Sequence, residues 1–264
     1  MTRRAPWFLV APGLVALIFL VIPLGALVVE APWGGFAGIL QSPEALAALR
    51  LSLVTSVATT FIALVLGVPL AWLLAREVLP LTNVWRALVI VPLLLPPVVG
   101  GVGLLTALGR RGLVGQYLYQ GMGVQLPFTT AGVIVAQTFV AMPFLIITME
   151  SGFRSMNPRY EEAATTLGAS PWVTFRRVTL PLVAPAALAG AVLCWARALG
   201  EFGATITFAG NFPGVTQTMP LAVYSALESD RSVAIALSLV LLLVSVAVLV
   251  ALRGRYLYSR SERP

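Results

Sequence analysis

The chain contains no lysine, no histidine and a single cysteine, Cys194, among its 264 residues. Without histidine, neither a Ser-His-Asp triad nor a Cys-His pair can be built, and a zinc or other soft-metal site is not expected. A Walker A loop needs its lysine to reach the terminal phosphates of a nucleotide, so this chain cannot supply one. One cysteine also forbids an internal disulfide. We therefore expect no catalytic residue, metal site or cofactor in this chain.

Charged residues are scarce as well. They make up 10% of the chain, against about 25% in a typical soluble domain, while 59% of the residues are hydrophobic and the mean hydropathy is +0.94. Because so little polar material cannot cover a globule in water, lipid is the expected solvent. The net charge of +7 comes from arginines that lie mostly in short segments between hydrophobic runs. That pattern is typical of membrane-flanking charges and not of a nucleic-acid-binding face, so no nucleic-acid partner is expected.

Six hydrophobic runs are long enough to cross a bilayer, which takes roughly 20 mostly apolar residues per helix. They cover residues 7–29, 49–74, 87–108, 130–148, 182–208 and 232–252. The first run is longer than a signal-peptide core and lacks a clear cleavage site, so we expect it to be kept as a helix. The sequence therefore predicts an all-α integral membrane protein, with six transmembrane helices in a single domain of residues 1–264.

The distribution of arginine predicts the orientation. With the N-terminus placed in the cytoplasm, twelve of the arginines fall on the cytoplasmic side. The opposite side holds Arg50, Arg110, Arg111 and Arg231, and Arg197 lies within a span. Because arginine accumulates on the cytoplasmic side of membrane proteins, we expect both termini to be cytoplasmic. The predicted location is the inner or plasma membrane of a prokaryote.

The loop at residues 151–181, between the fourth and fifth spans, is too polar to face lipid. An Asn-Pro pair at 157–158 is typical of a helix start, and the acidic pair at 161–162 suits the positive end of that helix. Gly168 is placed to end the helix, and a Ser-Pro pair at 170–171 starts a second one. From these residues alone, the first helix either docks another protein or rests on the bilayer surface, and both interpretations stay open.

The same loop contains the pattern EAA-x3-G-x9-V-x-LP, which begins at Glu162 and ends at Pro181. It resembles the EAA motif of ABC-importer permeases, which has isoleucine where this chain has Val178. In that family the loop is the coupling helix, which sits in a cleft of the ATPase subunit and transmits its closure to the membrane helices. The resemblance implies an ATPase-docking role for five loop residues: Glu162, Ala163, Ala164, Gly168 and Pro181. We add the neighbouring Glu161 to this set.

Other segments resemble the molybdate and sulfate branch of these permeases. They are PLLLPP at 92–97, GRRGLVG at 109–115 and ARALGEFGAT at 196–205, while residues 209–227 resemble the molybdate members most. The resemblance implies a homodimer, two ATPase subunits that bind ATP and Mg²⁺, and an extracytoplasmic binding protein that captures the oxyanion. Molybdate is the expected substrate, with sulfate and tungstate as alternatives.

Arg197 and Glu201 lie four residues apart inside the predicted fifth span, and so on one helix face. Ionisable groups within a membrane usually mark a pathway or a paired contact. One hypothesis is that Arg197 attracts the anion or helps to hold a gate, with Thr205 offering a hydroxyl beside it. The other is that the pair fixes helix packing or a subunit contact.

Two other classes of protein fit the sequence less well. An ion-coupled secondary transporter would place coupling carboxylates at mid-membrane, where only Glu201 qualifies. A membrane-embedded enzyme would need a catalytic constellation, and the missing histidine and lone cysteine leave none. The sequence therefore predicts a transport subunit that moves its substrate by alternating access, with ATP hydrolysis carried out by a partner chain.

Overall fold

The computed structural model describes residues 7–258, and helices account for nearly all of the regular structure in this range. Of the arginines used for the orientation prediction, Arg3, Arg4, Arg260 and Arg263 lie outside the described residues. The helices are α1 Trp7–Val29, α2 Phe36–Leu40, α3 Pro43–Ala75, α4 Thr82–Leu94, α5 Pro97–Leu108, α6 Gly115–Met122, α7 Thr130–Ser155, α8 Arg159–Thr166, α9 Pro171–Thr174, α10 Leu180–Leu199, α11 Gly203–Phe208, α12 Met219–Ser229 and α13 Arg231–Tyr258. A π-helical turn, Phe175–Thr179, joins α9 to α10.

Five stretches of the described chain are long and apolar enough to cross a membrane as single helices. They are α1, α3, α7, the continuous helix Pro171–Leu199 and the first part of α13. A sixth span exists if α4 and α5 are counted together. The predicted all-helical bundle of about six spans is therefore confirmed.

The predicted third span, 87–108, is not one helix. Leu95 and Pro96 adopt extended backbone with ψ values of 136° and 132°, and α4 and α5 meet at an angle of 115°. Two consecutive prolines explain the break, because each disfavours the helical conformation of the residue before it. The two prolines are visible in the sequence, but hydropathy alone does not show that they interrupt the span.

The predicted fifth span, 182–208, is also divided. Helix α10 ends at Leu199, and the short helix α11 begins only at Gly203, with Gly200 and the buried Glu201 between them. The segment that follows lies outside the predicted spans and contains the 11-residue helix α12. We call the interruption at 200–202 the α10–α11 break.

The core lies where α7 packs between α3 and α10. Small residues allow the close approach: a Cβ atom added at Gly190 would lie 3.3 Å from the Leu145 Cα, and one at Gly67 would lie 2.8 Å from the Leu145 Cδ2. Small side chains at such contacts are typical of membrane helices, which gain little from excluding lipid and depend on close packing. By contrast, α1 contains no fully buried residue and packs along α13.

Candidate functional site

Helix α8 of the 151–181 loop begins much as the sequence predicts. Asn157 Oδ1 accepts a hydrogen bond of 3.1 Å from the backbone N–H of Arg159, which satisfies one of the amides at the helix start. The first helical residue is Arg159, one position after Pro158. Glu161 and Glu162 both fall in the first turn, where negative charge is favourable.

Helix α8 ends at Gly168 through a two-bond cap. The N–H of Ala169 bonds to the Ala164 carbonyl at 3.0 Å, and the N–H of Gly168 bonds to the Thr165 carbonyl at 2.9 Å. This is the Schellman arrangement, and Gly168 has the positive φ of 84° that it requires. Two residues later, Ser170 Oγ accepts from the N–H of Val173 at 3.4 Å and starts α9. Caps at each end give the loop a defined shape.

One face of the loop is open to the surroundings. Glu162, Ala163, Gly168 and Pro181 are exposed, whereas Ala164 is partly buried. Large apolar side chains are exposed beside them: Leu167 is 88% exposed, and Tyr160 and Trp172 are exposed as well. The motif did not point to these three residues. The available signal was apolar side chains in an otherwise polar loop.

Glu161 points away from this open face. Its Oε2 lies 2.6 Å from Arg76 Nη2, and its Oε1 accepts a hydrogen bond of 2.5 Å from the Thr179 hydroxyl. Arg76 follows the last residue of α3, and Thr179 ends the π-helical turn. The carboxylate therefore joins three segments and is partly buried, whereas Glu162 beside it is exposed.

Arg86, near the start of α4, forms a second polar cluster at this end of the bundle, which we call the loop end. Its guanidinium pairs with Glu150 of α7 at 2.6 Å and with Glu77 at 3.3 Å. It also donates to the Leu74 carbonyl at 2.9 Å and to Asn83 Oδ1 at 3.0 Å. The end of α3 is thus held to α4 and α7 through one side chain.

The structure brings Arg197 and Glu201 together across the end of α10. Arg197 Nη1 lies 2.5 Å from Glu201 Oε2, while Glu201 Oε1 accepts a hydrogen bond of 2.7 Å from the N–H of Ala204 in the first turn of α11. Glu201 is 1% exposed and Arg197 is 27% exposed. Thr205 is fully buried in the next turn, and its hydroxyl has no hydrogen-bond partner among the described residues. Glu201 thus bridges the α10–α11 break.

The model of the family described as "Binding-protein-dependent transport system inner membrane component" matches residues 63–262. This is most of the chain. The chain belongs to this family. It is therefore a multi-pass membrane protein, as its spans and composition predict, and a transport component, as the EAA motif implies.

Among its relatives is the "Molybdenum transport system permease protein ModB" of Mycobacterium bovis, 44% identical over 231 residues that cover 88% of this chain and 87% of the relative. The protein of the same description from Escherichia coli K12 is 40% identical over 191 residues, which cover 72% and 83%. The "Sulfate transport system permease protein CysT" of Salmonella typhimurium is 34% identical over 232 residues, which cover 86% and 83%. The resemblance to the molybdate and sulfate branch is confirmed.

Solved structures of distant sequence share the fold. A bacterial ABC transporter involved in the import of the acidic polysaccharide alginate aligns with a TM-score of 0.75 at 21% identity, covering 97% of this chain and 96% of that chain. A structure of the bacterial alginate transporter in complex with its alginate pentasaccharide-bound periplasmic protein aligns with a TM-score of 0.74 at 19% identity, covering 96% and 94%. The MetNI methionine ABC transporter aligns at 0.63 and 18% identity, covering 79% and 93%.

Proposed function

We propose that this chain is the membrane-spanning permease subunit of an ATP-driven molybdate importer. One observation carries the choice of substrate: the chain is 44% identical to a molybdenum permease over 88% of its length, and 34% identical to a sulfate permease over a similar length. The subunit would pair with a second copy of itself, two ATPase subunits and an extracytoplasmic oxyanion-binding protein. ATP and Mg²⁺ would be bound by the ATPase subunits.

The loop end is the cytoplasmic end in this proposal. The support comes from charge, because Arg76, Arg86, Arg154, Arg159 and the Arg176–Arg177 pair all lie at or near this end. Positive residues accumulate on the cytoplasmic side of membrane proteins. This orientation also presents the open face of the 151–181 loop to the compartment that supplies ATP.

The 151–181 loop would dock into the ATPase subunit. Its open face combines a small residue, Ala163, with the exposed apolar side chains of Leu167 and Trp172. Apolar residues exposed to water are costly unless a partner covers them, and aromatic residues are enriched in the cores of protein interfaces. The caps of α8 supply the rigidity that a moving part needs, since a flexible loop would absorb the motion of its partner.

Transport would proceed by alternating access. ATP binding closes the ATPase dimer, the docked loops move with it, and the spans change from an inward-open to an outward-open arrangement that receives the anion. A change of this kind requires packed elements with two discrete arrangements, each stabilised by different contacts. The close-packed α3, α7 and α10 are suited to move as one unit.

Uptake of labelled molybdate tests the substrate and the energy source together. In cells that lack their own molybdate permease, this chain should restore uptake only when the ATPase and the binding protein are produced with it. Unlabelled molybdate should compete more effectively than sulfate, while competition by tungstate would show how closely the site discriminates. Uptake that persists without any ATPase subunit would instead support the ion-coupled transporter.

The substitution Leu167→Asp tests docking. Because Leu167 is 88% exposed, the change should leave the fold intact, but it would put a charge where an apolar contact is needed. We expect ATPase binding to weaken about tenfold or more, measured by co-purification and titration. The matched control is Leu113→Asp, a substitution at a 73% exposed leucine at the opposite end of the bundle. Equal binding by the two variants would remove the docking role from this face.

We further propose that Arg197 and Glu201 serve packing and not anion passage. Glu201 already neutralises Arg197 and caps α11, which leaves little positive charge for a passing anion. Thr205 is enclosed by protein in the single chain. Arg197→Ala should therefore lower the stability of the complex while uptake per assembled complex remains close to that of the wild type.

A further inference from the structure

Two neighbouring carboxylates of α8 have different surroundings. Glu162 is exposed on the open face, with no ion pair among the described residues, whereas the Glu161 side chain is 24% exposed and paired with Arg76. Consecutive residues on a helix project about a quarter-turn apart, and here that rotation turns Glu161 toward Arg76 while Glu162 stays on the open face. The ATPase-docking role, which rests on the proposed function, therefore fits Glu162, and Glu161 needs a separate explanation.

Among the described residues, the Glu161 side chain links α8 to the end of α3 through its pair with Arg76. The backbone of α8 lies against α9 and the π-helical turn, which are its neighbours in sequence. Arg76, by contrast, lies 85 residues earlier in the chain. The two oxygens of one carboxylate thus hold α3 and the π-helical turn at a fixed separation, at 2.6 Å and 2.5 Å respectively.

Apolar packing does not make this connection by itself. An open groove of about 200 Å³ lies beside the carboxylate, lined by Trp72 of α3 and Phe175 of the π-helical turn. Its wall includes Thr174, which is buried and whose hydroxyl has no hydrogen-bond partner among the described residues. Because α8 and α3 are not packed closely against each other, the charge-assisted hydrogen bond is the stronger link between them.

The end of α3 is connected in turn to α4 and α7. Arg76 adjoins Glu77, and Glu77 and the Leu74 carbonyl are both held by Arg86. Arg86 in turn pairs with Glu150 of α7. A displacement of α8 that reaches Arg76 is thereby passed to α4 and to α7, in addition to the direct path along the π-helical turn into α10.

We propose that Glu161 is a positioning residue that transmits the movement of the 151–181 loop to α3 through Arg76. Without the pair, the loop still docks and still moves with the ATPase, but α3 receives the movement only indirectly, through its packing against α10 and α7. Loss of this direct link therefore lowers the amount of substrate transported per ATP hydrolysed, whereas damage to the open face prevents assembly with the ATPase.

Charge exchange in the full complex tests this proposal. Permease, ATPase and binding protein are reconstituted in liposomes, and molybdate uptake and ATP hydrolysis are measured on the same preparation. For Glu161→Gln and for Arg76→Gln, we expect a drop of up to about fivefold in molybdate transported per ATP, with ATPase association unchanged. The double variant Glu161→Arg with Arg76→Glu restores the opposite charges and should recover most of the lost ratio.

One control and three possible results separate the role of Glu161 from the docking role of the open face. Glu162→Gln is the control, and it should act on ATPase association and not on the ratio of uptake to hydrolysis. An unchanged ratio in both single variants would overturn the role of Glu161 while leaving docking intact. Loss of ATPase association in Glu161→Gln would also overturn it, because Glu161 would then belong to the docking surface. A charge exchange that assembles normally without recovering the ratio would contradict the pairing itself.

Discussion

The loop end and the α10–α11 break each contain an arginine–glutamate contact, but the two contacts have different structural roles. At the break, Arg197 and Glu201 are four residues apart, and Glu201 is 1% exposed. At the loop end, Arg76 and Glu161 come from distant parts of the chain and are 22% and 24% exposed. The first contact stiffens one stretch of chain inside the bundle. The second connects elements that packing leaves partly separate.

The helix packing around the two contacts also differs. Beside the break, α5 and α11 touch closely: a Cβ atom at Gly203 would lie 2.9 Å from the Pro97 Cβ. Open grooves adjoin both contacts, one of about 510 Å³ that includes Gly200 and Phe202 and one of about 200 Å³ that includes Glu161. The loop end differs because α8 reaches α3 through a side-chain pair and not through close helix packing. Closely packed helices move together, whereas a side-chain pair can direct the relative motion of elements that are not packed against each other.

The largest expected effect is that of Glu201→Ala. The substitution leaves the Arg197 guanidinium without its partner and removes the acceptor for the first turn of α11. Breaking one side of a buried pair costs about 3 kcal/mol. We expect the midpoint of thermal unfolding of the purified complex to fall by several degrees. An unfolding midpoint equal to that of the wild type would end the claim that the break is held by this carboxylate.

The substitution Glu201→Gln separates the loss of the charge from the loss of the helix cap. The amide oxygen can still accept from Ala204, so the cap is kept while the charge is lost, and the variant should unfold between Glu201→Ala and the wild type. The matching change at the loop end, Glu161→Gln, should cost roughly 1 kcal/mol or less, because that pair is partly open to water. If the two glutamine variants lost equal stability, the contrast between the regions would be wrong.

A smaller effect is expected from Gly101→Ala in α5. The added Cβ would lie 2.7 Å from the Thr207 Cβ and 3.0 Å from the Ala204 carbonyl oxygen, so α5 and α11 would have to separate. Overpacking of this kind typically costs about 1–3 kcal/mol, and we expect about 2 kcal/mol in the same unfolding measurement. Gly103→Ala is the control in the same helix, since nothing lies within 4 Å of its added Cβ. Similar losses for both variants would indicate a general helix effect and not a close contact.

Much of the loop could be predicted because its signals are local. Gly168 was expected to end α8, and the two-bond cap with positive φ is there. Asn157 and Ser170 were expected to start helices, and each accepts a backbone hydrogen bond at its helix start. Caps act over three or four residues, so sequence spacing contains nearly all the information they need.

The interruptions of the spans were harder to predict. Hydropathy runs without a gap from residue 182 to 208, although Glu201 marks the position where the helix breaks. An acidic residue in a hydrophobic run can face a pathway, pair with a neighbour or cap a new helix. Only the position of Ala204 relative to the Glu201 carboxylate distinguishes the last of these.

Composition and spacing alone determined the solvent, the number of spans and the capped helices of the 151–181 loop, because hydrophobic length and capping are properties of short stretches of chain. Tertiary structure decided which way each charged side chain points. Glu161 and Glu162 are the same residue type in adjacent positions, and only the arrival of α3 from far along the chain gives one of them a partner. Contacts between distant segments depend on how the whole bundle packs, and no local pattern contains that information.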